Sequence, residues 1–386
     1  MTQRITLFRT TPRIVMGPGS VKQAGQEALA LSAHRVLIVT DNGIIAAGIL
    51  DLVAGSLKSA GVAYQVFSDV APDPRYETVK TCLESLGEFK PEAVIGLGGG
   101  SAIDIAKCTA VMLGNSGTIE DYMGVELVPK AGVPTIIIPT TAGTGSEVTP
   151  IAILSDENEK LKKGVVSPYL FPRTALLDAE LTVGLPQAVT AATGMDALIH
   201  GIESFTSVNA SGMSDMLATR AIRMIYGSIR TAYAQGNNIQ ARSDMMEGSL
   251  LAGMAFANAG VTAVHAFAYP IGAEFHIPHG VANSIMLPSV MEFNMLGNLD
   301  KFAQMADMFG EVTQGKNLRE KAQAMVDALH TLSQDLKIPA HLSEFGVKDE
   351  DIPNLAAGVM KVTRLLDNNP RKLNQADAEA IYRSTL

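Results

Sequence analysis

The chain lacks what a nucleic-acid binder or a disulfide scaffold needs. Lysine and arginine number 30 against 39 aspartates and glutamates, a net charge of −9, and no basic run exceeds two residues. That balance excludes a surface built to follow phosphate backbones. Two cysteines, Cys82 and Cys108, with no CxxC pair, exclude a disulfide framework and point to a reducing cytoplasm. Met1-Thr2-Gln3-Arg4-Ile5 lacks the long apolar run of a secretion signal, and no fixed-period repeat or low-complexity tract is visible. The longest uncharged span, Gly248 to Ala273, matches a bilayer in length, but Asn258, His265, Tyr269 and Pro270 interrupt it. It reads as a helix buried on all sides inside a water-soluble protein, with no membrane segment.

What is present is a large interior. At 386 residues and 47% hydrophobic, the chain exceeds one typical core and implies two domains. From residue 34 to about 180, short β-branched runs alternate with helical patterns. His34–Thr40, Ala63–Phe67, Ala93–Leu97 and Pro134–Ile138 read as strands, with helices over 44–60, 76–88 and 102–112 between them. Continuous apolar strands separated by helices mean a parallel sheet covered on both faces. After Leu185-Pro186 the strand signal stops, and 187–384 read as successive helices. We therefore divide the chain into an α/β dinucleotide-binding domain, 1–185, and an all-helical metal and substrate domain, 186–386. A ligand is expected in the cleft between two such halves.

Parallel sheets bind ligands beyond the carboxyl ends of their strands. The third strand runs into Gly96-Leu-Gly98-Gly99-Gly100-Ser101 and then a helix carrying Asp104 and Lys107. Glycines there let backbone N–H groups approach a pyrophosphate, although Ser101 stands where a GxGxxG motif has its last glycine, and a plain flexible turn fits too. The fourth strand ends in Pro139-Thr140-Thr141-Ala-Gly143-Thr144-Gly145-Ser146-Glu147, whose hydroxyls suit a ribose, phosphate or amide. An ordinary Ser/Thr/Gly loop has the same composition. Asp41, after the first strand, either accepts from an adenosine ribose and repels a 2′-phosphate, or simply caps a helix.

In the second half, Asp196 and His200 stand four residues apart, on one face of a helix. With His265 and His279 they would surround one divalent metal with room for an outside ligand. Alone, the pair reads equally as ordinary helical side-chain pairing.

Gly98-Gly-Gly-Ser101, Pro139 to Glu147, Thr193-Gly-Met-Asp-Ala-Leu-Ile-His200 and His279-Gly-Val-Ala-Asn283 together resemble the iron-dependent, group III alcohol dehydrogenases. The likeness runs from Arg13 to Arg371, essentially the whole chain. It implies a dehydroquinate-synthase-like fold, with a Rossmann-like parallel-sheet domain followed by a helical one. It implies Fe²⁺, with Zn²⁺ as a substitute, held by Asp196, His200, His265 and His279. It implies NAD(H) rather than NADP(H), contacted by Asp41, Gly98, Gly99, Ser101, Asp104, Thr140, Thr141, Thr144, Ser146, Thr149 and Lys162. The activity implied is hydride transfer between NAD(H) and a small primary alcohol, diol or matching aldehyde. Pairing of Ile5–Phe8 and Ile14–Met16 across a homodimer or larger assembly is also implied.

Two positions depart from the family pattern. Many members carry a proton-relaying histidine four residues after the third ligand, where this chain has Tyr269. A tyrosine is a weak base at neutral pH, so Tyr269 or His276 is expected to take over the relay. Tyrosine there is similar to the hydroxyacid–oxoacid transhydrogenase branch, which makes a hydroxyacid enzyme the alternative. Arg364 either binds a substrate carboxylate or is a plain surface arginine. A non-catalytic assembly subunit conflicts with the presence of all four candidate ligands.

Overall fold

The structure is a computed structural model and describes residues 5–156 and 161–386. Met1–Arg4, read above for a leader, lie outside the described residues. By backbone contacts the chain forms two compact units. The first is Thr10–Leu185; the second is Pro186–Leu386 together with the described residues up to Arg9.

In the first unit, β1 (Arg13–Met16), β2 (Arg35–Val39), β3 (Ala63–Phe67), β4 (Ala93–Gly98), β6 (Thr135–Pro139) and β9 (Thr174–Leu177) form one sheet. A small second sheet holds β5 (Gly124–Val125), β7 (Ile151–Asp156) and β8 (Leu161–Val166). The large sheet has the order β1-β9-β6-β4-β2-β3, all neighbours parallel, with Ile38 opposite Ile95 and Ile95 opposite Ile136. Helices α1 (Ala24–Ala30), α2 (Asn42–Ala46), α3 (Ile49–Ser59), α4 (Glu77–Ser85) and α5 (Gly100–Met112) join these strands. Apolar groups on both faces, Leu37, Val39 and Val94 on one and Val36, Ile38 and Ile95 on the other, bury them without alternation.

The chain moves from β2 outward to β3, then returns to place β4 on the other side of β2. The order of strands thus reverses between β2 and β4, where open parallel sheets bind ligands. Thr40-Asp41 and Gly98–Ser101 end those two strands.

The second unit contains α6 (Gln187–Thr206), α7 (Gly212–Ala234), α8 (Ile239–Ala259), α9 (Ala263–Phe275) and α10 (His279–Asn294). Beyond them come α11 (Leu299–Phe309), α12 (Leu318–Asp335), α13 (Ile352–Met360), α14 (Thr363–Leu366) and α15 (Gln375–Arg383). No strand occurs among the described residues beyond β9, so the α/β-then-helical reading is borne out.

Several expectations need correction. Gly248 to Ala273 is not one helix: α8 and α9 meet at 100°, and among the described residues no single helix is long and apolar enough to cross a membrane. The chain breaks at Gly260–Thr262, where Asn368 Nδ2 donates to Val261 O and Ala263 N donates to Asn369. Apart from these corrections, Ile5–Phe8 lie in no strand of their own chain, Arg9 exchanges two backbone hydrogen bonds with the Asn258 amide, and pairing of Ile5–Phe8 across subunits stays an expectation. The helix expected over 44–60 is two, α2 and α3, because Gly48 turns left-handed at φ 73° between them. The β7–β8 hairpin is not foreseeable from pattern, since it is antiparallel and carries lysines where a buried strand has apolar residues.

Candidate active site

In the first unit, Gly98 adopts φ 148°, a conformation rarely open to L side chains. A Cβ there would lie 2.9 Å from Ala102 Cβ and 3.3 Å from Asp41 Oδ2, so the two strand ends meet with no room for a side chain. Gly99 starts α5 in extended conformation with no side-chain cap. The first N–H groups of a thirteen-residue helix are thus left for a ligand, beside the positive end of its dipole. Ser101, Thr141 and Thr144 are half-buried around that opening, while Thr140 is buried and its N–H donates to Gly98 O. Asp41 caps α2, accepting from Ile44 N at 3.0 Å, and turns its other oxygen toward Gly98.

Other predicted cofactor residues serve one another. Lys107, wholly buried, donates to Ser146 Oγ at 2.8 Å, Thr149 O at 2.9 Å, Thr149 Oγ1 at 3.3 Å and Ile151 O at 3.0 Å. Asp104 accepts from Ser146 Oγ at 2.8 Å and Ile153 N at 2.9 Å. Burial pushes the Lys107 ammonium down to about 8 against the pull of Asp104 and Glu147. Burial also raises Asp104, and raises Glu147 to about 7. Asp104, Ser146 and Thr149 therefore belong to a network that ties α5 to the hydroxyl loop. Lys162 pairs with Asp73 at 2.5 Å.

In the second unit, α6, α9 and α10 bring Asp196, His200, His265 and His279 together. Gly280 permits the approach, since a Cβ on it would stand 2.5 Å from Ala192 O. Asp196 Oδ1 lies 3.7 Å from His265 Nε2 and 3.9 Å from His279 Nε2. His200 Nε2 faces His265 Nε2 at 3.1 Å. Donors about 2.1 Å from one tetrahedral ion stand about 3.4 Å apart, so these spacings suit a divalent metal. Two imidazole lone pairs directed at each other beside a carboxylate also require a cation or a proton between them. Even without His200, one ligand atom each from Asp196, His265 and His279 lies within 4.8 Å of the others, close enough to hold an ion. Donor set and spacing both fit.

Two residues around the cluster have no role in the sequence reading, although Asn283 stands in its last motif. Asn283, fully buried, donates Nδ2 to Asp196 Oδ1 at 2.8 Å, and that nitrogen is also 3.1 Å from His279 Nε2. Glu203, also fully buried, accepts through Oε2 from His265 Nδ1 at 2.5 Å. Its Oε1 takes the Thr262 hydroxyl and Val264 N, each at 2.7 Å. The signal lies in the spacing: Asp196, His200 and Glu203 form an i, i+4, i+7 stripe of polar groups on one face of an otherwise buried helix. Burial works against ionising Asp196 and Glu203, but the imidazoles hold both carboxyls below their ordinary range. Burial likewise works against charging His265, yet Glu203 raises it overall, with Arg364 pulling the other way.

Tyr269 lies on α9, its ring centroid 6.2 Å from that of His279. His276 is exposed at the left-handed C-cap of α9, φ 53°, with no bond to the cluster among the described residues. Phe256 stacks on His200 with centroids 4.3 Å apart, closing that side with carbon.

A glycine-framed strand end in a parallel sheet and a helical unit bearing an Asp/His₃ cluster suit an enzyme that uses a nucleotide and a divalent metal. The chain belongs to the iron-containing alcohol dehydrogenase family, matching its iron-containing alcohol dehydrogenase model over residues 11–179 and its C-terminal model over 190–386. The long-chain-alcohol dehydrogenase 1 of Geobacillus thermodenitrificans is 41% identical over 370 residues, 95% of this chain and 93% of that one. A solved 1,3-propanediol oxidoreductase superposes with TM-score 0.97 at 36% identity, covering 99% of this chain and 100% of the other. A sulfoacetaldehyde reductase from Bifidobacterium kashiwanohense, solved with NAD⁺, gives 0.89 at 29% identity, covering 99% of each chain. The protein is an alcohol–aldehyde oxidoreductase of this iron- and NAD(H)-using family.

Proposed function

We propose that the enzyme exchanges hydride between NAD(H) and a small primary alcohol, diol or aldehyde. Asp196, His200, His265 and His279 hold the metal in this reading, and the convergence of those four donors carries it. When bound, the ion supplies Lewis acidity toward the substrate oxygen. The chain does the rest by positioning. Asn283 and Glu203 orient Asp196 and His265, Phe256 keeps water from His200, and Tyr269, its ring 6.2 Å from that of His279, is assigned the ordering of the proton path through its hydroxyl. His276, exposed and turned into a left-handed cap, is assigned no step.

Gly98, Gly99, Ser101, Thr140, Thr141 and Thr144 receive the nucleotide in this reading, with Asp104, Ser146, Thr149 and Lys107 holding their loops in register. The supporting observation is a helix start with no cap, framed by glycine where a Cβ would collide. Asp41 beside Gly98 favours NAD(H) over NADP(H) by charge repulsion of a 2′-phosphate. Fe²⁺ is taken from the family, and Zn²⁺ suits the same donors. We further propose a cytoplasmic homodimer, supported by two buried free thiols and by the exposed apolar Ile14 and Met16 on edge strand β1. The experiment is an anaerobic assay of NAD⁺ reduction with 1,3-propanediol and short alcohols after Fe²⁺ loading. Absence of turnover with every alcohol and aldehyde would sink the proposal.

A second reading gives the substrate an anionic tail, carboxylate or sulfonate. Arg364 favours it: exposed on α14, it makes no ion pair among the described residues, and its charge is felt at His265. Asn368 and Asn369 anchor the segment behind it to residues 261–263, just before His265. Arg364→Gln is expected to raise KM about tenfold for a hydroxyacid or sulfonated aldehyde and leave KM for 1,3-propanediol unchanged. Equal effects on both substrates would remove this reading.

A further inference from the structure

We propose that Glu203 is a positioning residue that fixes the tautomer of His265 and thereby sets how tightly the cluster holds its ion. The inference rests on the metal reading above and adds to it a residue outside the donor set.

The two oxygens of Glu203 have different partners. Oε1 accepts from both the Thr262 hydroxyl and Val264 N, each at 2.7 Å. Oε2 is left for His265 Nδ1 alone, at 2.5 Å. A carboxylate has no proton to give, so Nδ1 must carry the hydrogen and Nε2 must present its lone pair. Nε2 is the atom that faces His200 at 3.1 Å and Asp196 at 3.7 Å. In the neutral ring the lone pair is thus held toward the cluster. Such a carboxylate behind a ligating histidine fixes ring orientation and raises ligand basicity.

The same carboxylate starts α9. Thr262, at the N-cap, makes no side-chain cap bond to its own helix, because its hydroxyl is given to Glu203. Val264 N, one of the helix's orphan donors, is satisfied by Glu203 instead of by a local side chain. One buried side chain on α6 therefore docks the start of α9 and aims the histidine three residues into it. Glu203 has no accessible surface and touches the site only through His265, so substrate does not reach it.

Replacement by glutamine, Glu203→Gln, separates the two jobs. Val264 fixes the orientation of the new amide: its oxygen must stay on that backbone N–H, because the reverse would set an NH₂ group against an N–H that can only donate. The NH₂ then occupies the Oε2 position and donates to His265 Nδ1. That moves the imidazole hydrogen to Nε2, where it blocks the ion. Shape and helix docking are kept, while the lone pair is turned the wrong way.

The test uses metal-free full-length protein, titrated with Zn²⁺ against a chromophoric chelator, in the wild type and in Glu203→Gln. The expected result is a loss of Zn²⁺ affinity of roughly 10- to 100-fold in Glu203→Gln, with a cooperative thermal transition retained. Affinity within about twofold of wild type overturns the role of Glu203 and leaves the metal reading standing. A wild-type protein that takes up no Zn²⁺ overturns the metal reading and this inference together. Should Glu203→Gln not fold, ¹⁵N-histidine NMR of Zn²⁺-loaded wild type decides. Nδ1–H on His265 with the ion on Nε2 is expected, and coordination through Nδ1 contradicts the proposal.

Discussion

The strand-end loops of the first unit and the histidine cluster of the second are built by opposite means. In the proposed reading the backbone around Gly98 recognises the nucleotide, and side chains matter there mostly by being absent or by holding loops in place. Among α6, α9 and α10 the side chains are the recognising element, and the backbone matters by bringing three helices close enough, as Gly280 against Ala192 does. A backbone site should be damaged by adding atoms. A side-chain site should be damaged by removing them.

The contrast is sharpest at Asp196. Asp196→Asn keeps the shape but removes the one carboxylate in the donor set. Loss of metal and a fall in kcat/KM of about 10³-fold are expected, since a Lewis acid supplies several kcal/mol to the transition state. NAD⁺ binding, read by isothermal calorimetry, should stay unchanged; a joint loss would merge the two sites.

Gly98→Ala is the opposite case. The added Cβ meets Ala102 at 2.9 Å, and φ 148° disfavours it independently. A rise in KM for NAD⁺ of roughly ten- to a hundredfold and a stability loss of about 1–3 kcal/mol are expected, with metal affinity untouched. Unchanged KM would mean that the nucleotide does not approach this turn.

The effect furthest from turnover concerns the network under the hydroxyl loop. Burial raises the Glu147 carboxyl from 4.5 to about 7 in the folded chain. Between those pH values the folded state binds more protons than the unfolded one, so stability falls as pH rises from 4.5 through 7, by up to about 3 kcal/mol. Glu147→Gln should flatten that decline in Tm measured against pH. A parallel decline in the variant would assign it to other groups.

The same contrast explains what is legible in the sequence. Strands β2, β3, β4 and β6 announce themselves as apolar β-branched runs, and the turn after β4 announces itself as glycine. The β7–β8 hairpin hides, because Lys162, Lys163 and Asp156 lie in ion pairs that a sequence pattern does not reveal. Asp196 and His200 are readable as a helical pair. That His265 and His279 join them depends on how α9 and α10 cross α6, so the residue types suggest it and family likeness gives it weight. Glu203 escapes the sequence for the same reason that Gly248–Ala273 reads there as one helix. The break before α9 is held open by tertiary bonds from Glu203, Asn368 and Asn369, and no local pattern encodes those.

Central to the proposed function is one divalent ion held by Asp196, His200, His265 and His279, with turnover depending on it. Elemental analysis of anaerobically Fe²⁺-loaded, desalted protein, paired with alcohol-dependent NAD⁺ reduction on the same sample, tests it directly. About one ion per chain is expected, with activity rising in proportion to the ion bound. Full activity in protein stripped of metal would contradict it.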